Sequence, residues 1–178
     1  MADSGEKRSQ LIDQLADHVL AEGLLHASLR PLAKAVGTSD RMLLYYFKDK
    51  NELIEAVLDR ITARITLILD QSSAPEPLPL DQLAPMLAQS MKSDLFWPYL
   101  RLWLEVAALS ASGDPLYRVC GERIGRGFVD WGASQLKVAN EADRSRQAAK
   151  LLVLVEGAVL LRSLGLEDIA DQALTPDA

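Results

Sequence analysis

Cysteine occurs once in this chain of 178 residues, as Cys120, and histidine twice, as His18 and His26. A lone cysteine cannot close an internal disulfide, so a reducing cytoplasm is the expected compartment. No Cys, Asp or Glu at metal-site spacing surrounds either histidine. Both read as surface or loop residues, and no metal or other cofactor is expected. Cys120 has no histidine near it in sequence, and there is no G-x-S-x-G turn and no phosphate loop, so an enzyme is not expected. Long apolar runs are missing as well. The longest, Leu151–Leu161, is interrupted by Glu156 and falls short of the ~20 residues that span a bilayer. It reads as a buried helix, with no membrane partner. The opening MADSGEKRSQ has no apolar core, so a secretory signal is not expected. Positive charge is scarce overall: the net charge of −6 excludes a general nucleic-acid coater but allows a local basic patch. Strand-like alternation is also lacking, so the chain reads as all-α.

What is present is concentrated between Ser28 and Asn51, SLRPLAKAVGTSDRMLLYYFKDKN. Ser28 can cap a helix whose opening turn holds Pro31, where no N–H is needed. Leu32, Ala33 and Val36 come next at helical spacing, and Gly37 suits a left-handed helix end. Thr38 or Ser39 can cap a second, short helix that turns Leu43, Tyr46 and Phe47 toward a core. Asp49 and Glu52 then form an acidic capping box for a third helix. Two helices across a glycine-containing turn are a helix-turn-helix, and the second is short enough for a DNA major groove. Five basic residues (Arg30, Lys34, Arg41, Lys48, Lys50) face two acids here, a local positive balance in an acidic protein. Arg30, Thr38, Ser39, Tyr45 and Tyr46 add hydrogen-bonding groups for phosphates and base edges. A small three-helix bundle with a solvated charged face is the alternative.

The run LRPLAKAVGTSDRMLLYYFKDKNELIEAVL resembles the N-terminal domain of the tetracycline-repressor (TetR) family of transcriptional regulators. Ala33…Gly37, Thr38-Ser39, Leu43-Leu44-Tyr45-Tyr46-Phe47 and Lys48-Asp49-Lys50 carry the likeness, over roughly residues 8–60. Two positions depart from the family pattern. Leu44 stands where family members commonly place a phosphate-binding tyrosine. Asp40 stands where a lysine is frequent, and could accept only from a cytosine amine. The resemblance implies a duplex operator as partner, a small-molecule effector and a homodimer.

Around this motif, Leu11, Ile12, Leu15, Ala16 and Val19 predict a first helix over about 7–22, ended by Gly23. Leu53, Val57, Ile61, Ile65 and Ile68 predict a long helix from about residue 50 to 70, a mechanical link into the next domain. The three prolines of SSAPEPLPL predict a stiff loop over 72–80. Further helices are expected over 80–92, 94–111, 115–138 and 141–164, with a short one after Leu166. Asp114-Pro115 is the start signal of one of them. The domains read as 1–50, a helix-turn-helix DNA-binding domain, and 51–178, a helical effector-binding and dimerisation domain.

Within the second domain, Gly121, Gly125, Phe128 and Gly132 share one helix face. Each interior glycine costs about 1 kcal/mol relative to alanine, which suggests a close helix–helix approach. The next helix is apolar nearly all round and includes Leu152, Val155 and Val159. The TetR resemblance implies that these two helices pair with a second subunit; one monomeric core is the alternative. Met86, Met91, Phe96, Tyr99 and Trp103 form a soft, aromatic segment in which Pro98 is expected to disturb the helix and open a cavity. Glu105 and Glu156 are acids among apolar residues. They could orient a ligand, or pair with Arg101 or another arginine.

The expected function is a DNA-binding transcriptional regulator, a repressor that leaves a palindromic operator when an apolar or amphipathic ligand binds. Arg41 would read a base edge and Met42 a thymine methyl, while Tyr46, Lys48 and Lys50 hold phosphates. A helical protein-interaction module without sequence-specific DNA binding is the alternative, and it leaves the donor-rich segment over 38–50 without a purpose.

Overall fold

A computed structural model describes residues 2–25 and 27–175, and within them the chain forms nine helices and no strand. In order they are α1 (Ala2–Glu22), α2 (Leu29–Ala35), α3 (Asp40–Tyr46), α4 (Lys50–Gln71), α5 (Leu80–Ser90), α6 (Trp97–Ala111), α7 (Pro115–Gln135), α8 (Glu141–Ser163) and α9 (Glu167–Leu174). The glycines expected to end helices do so: Gly23 has φ +83 and Gly37 φ +65, a conformation that costs glycine little and other residues more. α1 begins well before the expected boundary near Lys7. His26 lies outside the described residues.

Two compact units divide the chain. The first comprises Met1–Ile68 with Arg101–Gly121, and the second Leu69–Leu100 with Glu122–Ala178. α4, α6 and α7 therefore each contribute residues to both.

In the first unit, α1 contacts α2 and α2 contacts α3. The periodic residues Ile12, Leu15, Ala16 and Val19 of α1 are buried, as are Leu32, Leu43, Phe47, Leu53 and Val57. Each large apolar side chain removed from water this way contributes roughly 1.5–3 kcal/mol. Polar bonds then fix the register of α1 on α4. Arg64 bridges Asp13 and Asp17 at 2.8 and 2.6 Å, and Arg60 also holds Asp13. The Arg60 hydrogen bond, with Arg64 in support, keeps the Asp13 carboxyl below its usual range.

In the second unit α5, α8 and α9 pack together around Leu83, Leu87, Leu136, Ala148, Leu151 and Val155. The proline-rich loop ends in an isolated parallel bridge: the Leu78 N–H donates to Gln135 O at 2.9 Å, and the Lys137 N–H to Leu78 O at 2.8 Å. Gly132 marks a close approach of α7 to α8, because a Cβ there would lie 3.0 Å from Leu151 Cδ2. Pro98 departs from expectation. It is the second residue of α6, where no intrahelical donor is required, so it starts the helix instead of disturbing it. The proline inside a helix is Pro85 of α5, which withholds the N–H that Asp81 O would accept.

Candidate nucleic-acid interface

The α2–α3 pair takes its shape from its ends. Ser28 occupies the position before α2 with extended backbone, but its side chain makes no capping bond; Ser28 O instead accepts from the Leu32 N–H at 3.1 Å. Between the helices Thr38 N–H donates to Ala33 O at 2.9 Å. Ser39, rather than Thr38, caps α3, its Oγ accepting from the Met42 N–H at 3.3 Å. Leu43 and Phe47, one turn apart, are the buried anchors of this segment. Almost everything else on α3 faces outward.

That outward set contains most of the residues expected to meet DNA. Arg30, Ser39, Asp40, Arg41, Met42, Tyr45, Lys48 and Lys50 are exposed, and Thr38 and Tyr46 are half-buried. Leu44, at the departure from the family pattern, is exposed too. The Tyr45 and Tyr46 rings meet edge to face with centroids 5.0 Å apart, which limits the freedom of both.

The turn into α4 is more acidic at the backbone than the lysines suggest. Asp49 Oδ1 accepts from the Glu52 N–H at 2.9 Å, and Glu52 Oε2 accepts from the Lys48 N–H at 2.8 Å. The expected acidic capping box is thus present, with its return bond one residue earlier than usual. The Lys48 N–H bond, and after it the Arg8 guanidinium, holds the Glu52 carboxyl below its usual range. With two amides committed to carboxylates, the positive charge that this turn presents lies on the exposed Lys48 and Lys50 side chains.

Arg8 was not among the residues expected to matter. Its Nη2 pairs with Glu52 at 2.9 Å, its Nε donates to Tyr46 O at 3.3 Å, and its guanidinium lies 4.7 Å from the Phe47 ring centroid. One side chain from α1 therefore secures the end of α3, its aromatic anchor and the cap of α4. The one signal in sequence is an arginine a turn before Ile12, on the edge of the α1 apolar stripe.

The effector candidates are divided between the units. Met86, Met91, Phe96, Tyr99 and Glu156 belong to the second, and Trp103 and Glu105 to the first. Met86 and Met91 pack on the second unit's core, and Phe96 is buried. Glu105 does not pair with Arg101: it accepts from the Leu24 N–H at 2.5 Å. A concavity of the second unit brings Met91, Trp97 and Leu100 together with Ala158 and Val159 of α8 and Ala170 and Leu174 of α9. Its rim carries charge, including the exposed Glu167. Lys92 pairs with Asp171 at 2.6 Å, and Arg162 donates to Met91 O and Lys92 O, both at 2.8 Å. The rest of the lining is chiefly apolar.

Of the residues assigned to subunit pairing, Val155 and Val159 are already buried within the chain, and Leu152 is half-buried. A Cβ at Gly121 would lie 3.5 Å from Val106 Cγ1, an ordinary contact in the first unit. Gly125 and Phe128 are half-buried on α7, and Gly132 serves the close approach to α8. The exposed large apolar side chains of α8 are Val153, 71 % accessible, and Leu160, 50 %.

Residues 14–57 match the family model of the bacterial regulatory proteins, tetR family. The HTH-type transcriptional regulator BetI of Klebsiella pneumoniae (strain 342) is 37 % identical over 59 residues, 33 % of this chain and 30 % of that protein. The chain thus matches about a third of that relative's length. BetI of Serratia proteamaculans (strain 568) is 26 % identical over 183 residues, 96 % of this chain and 89 % of the relative. Among solved structures, a TetR-family transcriptional regulator from Rhodococcus sp. superposes with a TM-score of 0.71 at 19 % identity, covering 96 % of this chain and 95 % of the other. A transcriptional regulator from Saccharomonospora viridis in complex with choline gives 0.60 at 19 % identity, covering 96 % and 94 %. These two likenesses establish the fold.

Proposed function

We propose that the chain is a member of the TetR family of bacterial regulatory proteins, whose model its residues 14–57 match, and that it is a DNA-binding transcriptional regulator controlled by a small molecule. The observation that carries this reading is α3: a capped helix in the matched segment, held by Leu43 and Phe47, that presents Asp40, Arg41 and Tyr45 outward beside the apolar Met42 and Leu44. Arg41 reads a base edge and Met42 a thymine methyl, while Tyr46, Lys48 and Lys50 hold phosphates. Arg30 reaches backbone or base. A protein-interaction module would have no use for this donor set.

The functional division runs as 1–50 for DNA and 51–178 for effector and dimer. Two copies associate through α7 and α8, with Val153, Leu160 and Leu164 supplying apolar surface that one chain leaves exposed. Dimerisation sets the two α3 helices at the spacing of one DNA turn, about 34–36 Å. The effector is apolar or amphipathic, in keeping with the walls around Met91 and Trp97. It favours a different α3 separation and so releases the operator, which makes the regulator a repressor. Coupling of ~1–3 kcal/mol would give roughly 5–150-fold release, and the operator would weaken effector binding by the same factor. Such a protein works in the cytoplasm, and none of the described helices is long and apolar enough to cross a membrane.

Selection of bound duplexes from a random library tests the function. A recovered palindrome with half-sites one turn apart is the expected result. Enrichment of no sequence would refute it.

A further inference from the structure

Two charged side chains of α6 spend their polar groups on backbone at the corner between α1 and α2. Arg101 Nη2 donates to Leu20 O at 2.9 Å and to Ala21 O at 2.8 Å. These carbonyls lie in the last turn of α1, where helical donors run out and the backbone carries partial negative charge. Glu105, one turn further along α6, accepts from the Leu24 N–H at 2.5 Å. Its carboxylate occupies space that only glycine leaves. A Cβ at Gly23 would meet Glu105 Oε1 at 2.5 Å and Oε2 at 2.7 Å, and Gly23 itself has φ +83. Immediately beyond, Leu24 O accepts from the Ala27 N–H at 2.9 Å, one residue before the Ser28 that opens α2. All of these residues belong to the first unit.

The joint differs from an apolar contact in kind. Packed methyl groups can slide by an ångström at small cost, whereas three charge-assisted bonds of opposite polarity fix both position and direction. We propose that Arg101 and Glu105 are positioning residues for DNA recognition. They hold the α1–α2 corner in the orientation that presents α3, and they pass any displacement of α6 to the helix-turn-helix. This inference rests on α3 being the recognition helix.

The probe is the duplex recovered from the random library, compared with a scrambled duplex of equal length, at a temperature where each variant is folded. Glu105→Ala should lose about tenfold or more in affinity for the recovered duplex, since bonds to charged groups are the strong ones. The scrambled duplex should bind as before, because no phosphate contact has changed. Glu105→Gln retains a carbonyl acceptor for Leu24 and should recover most of the lost selectivity. Arg101→Lys, whose ammonium sits one bond short of Nη2 and donates tetrahedrally instead of in a plane, should fall between, and it serves if the alanine variant does not fold. Faster amide exchange at Leu24 in Glu105→Ala would show that the joint has opened. Unchanged discrimination between the two duplexes despite that opening would overturn the inference while leaving the DNA-binding function intact. Equal binding of both duplexes by the unaltered protein would instead remove the function and this inference with it.

Discussion

α3 and α8 are opposite solutions to being a helix with an outward face. α3 has seven residues, two apolar anchors counting Phe47 just beyond its end, and a mixed surface on which Asp40, Arg41 and Tyr45 stand beside the exposed Met42 and Leu44. α8 has 23 residues, buries Ala148, Leu151, Val155 and Val159 on one side, and still exposes Val153 and Leu160 on another. A short helix contributes little stability of its own, so α3 depends on caps and neighbours and leaves most of its surface to solvent. α8 stands on its packing and has apolar surface to spare. The proposed division into a recognition element and an assembly element rests on this contrast.

Removing an anchor should have the largest effect. Phe47→Ala should cost roughly 3–5 kcal/mol, by cavity formation together with loss of the Arg8 stacking, as measured by denaturant unfolding. A loss below about 1 kcal/mol would mean that α3 is held by something else. Next comes the exposed face of α8. Leu160→Glu should weaken self-association by about 2 kcal/mol or more in sedimentation equilibrium while the helical content of each chain is retained. A dimer of unaltered strength would move the interface away from α8.

On α3 itself the expected effects are smaller and differ in kind. Arg41→Ala should cost about 1–3 kcal/mol at a single base position of the recovered duplex. Lys50→Ala should weaken binding to every duplex alike and lower the salt slope by about one unit. Identical behaviour of the two variants would erase the distinction between reading and positioning.

The smallest effect is one of pH. Asp13 and Glu52 both have carboxyls held below their usual range, so the unfolded chain takes up their protons first as pH falls. Their contribution is present above the usual carboxylate range and is lost as pH drops through their lowered values, below about pH 4. The Asp13 site is largely solvated, so screening limits its share to ~0.2–1 kcal/mol, read as a shift in the thermal midpoint between about pH 6 and pH 3. Glu52 acts in the same direction. Removing Asp13 by Asp13→Asn should flatten part of that dependence.

The first unit is legible in sequence because its instructions are local. Gly37, Ser39 and Asp49 each act within four residues, and Leu43 and Phe47 fall at helical spacing, so turn chemistry and periodicity can be read directly. Arg8, Arg101 and Glu105 are not legible in their roles, since their partners lie 38 to 81 residues away. An arginine gives no sign in sequence of which carbonyl it will find. Pro98 and Pro85 show the same limit over a shorter range: a proline's effect turns on whether it opens a helix or interrupts one, and the two differ by only a few residues of boundary. Glycine spacing on α7 points to close approach, yet at Gly132 that approach is to Leu151 of the same chain. Spacing identifies a face but not its occupant.

The bridge at Leu78 bears on how the molecule would meet a protease. A protease needs several residues of backbone extended and free to enter its cleft, and proline-rich surface loops are common places to look for such a stretch. Here both backbone groups of Leu78 are engaged, with Gln135 and Lys137. Pro77 and Pro79 on either side restrict the chain further. Nicking in this loop should therefore fall toward Ser73–Glu76, leaving Leu78 attached to the end of α7. A cut there would open the connection between α4 and α5 yet leave the second unit with its first segment still fastened in place.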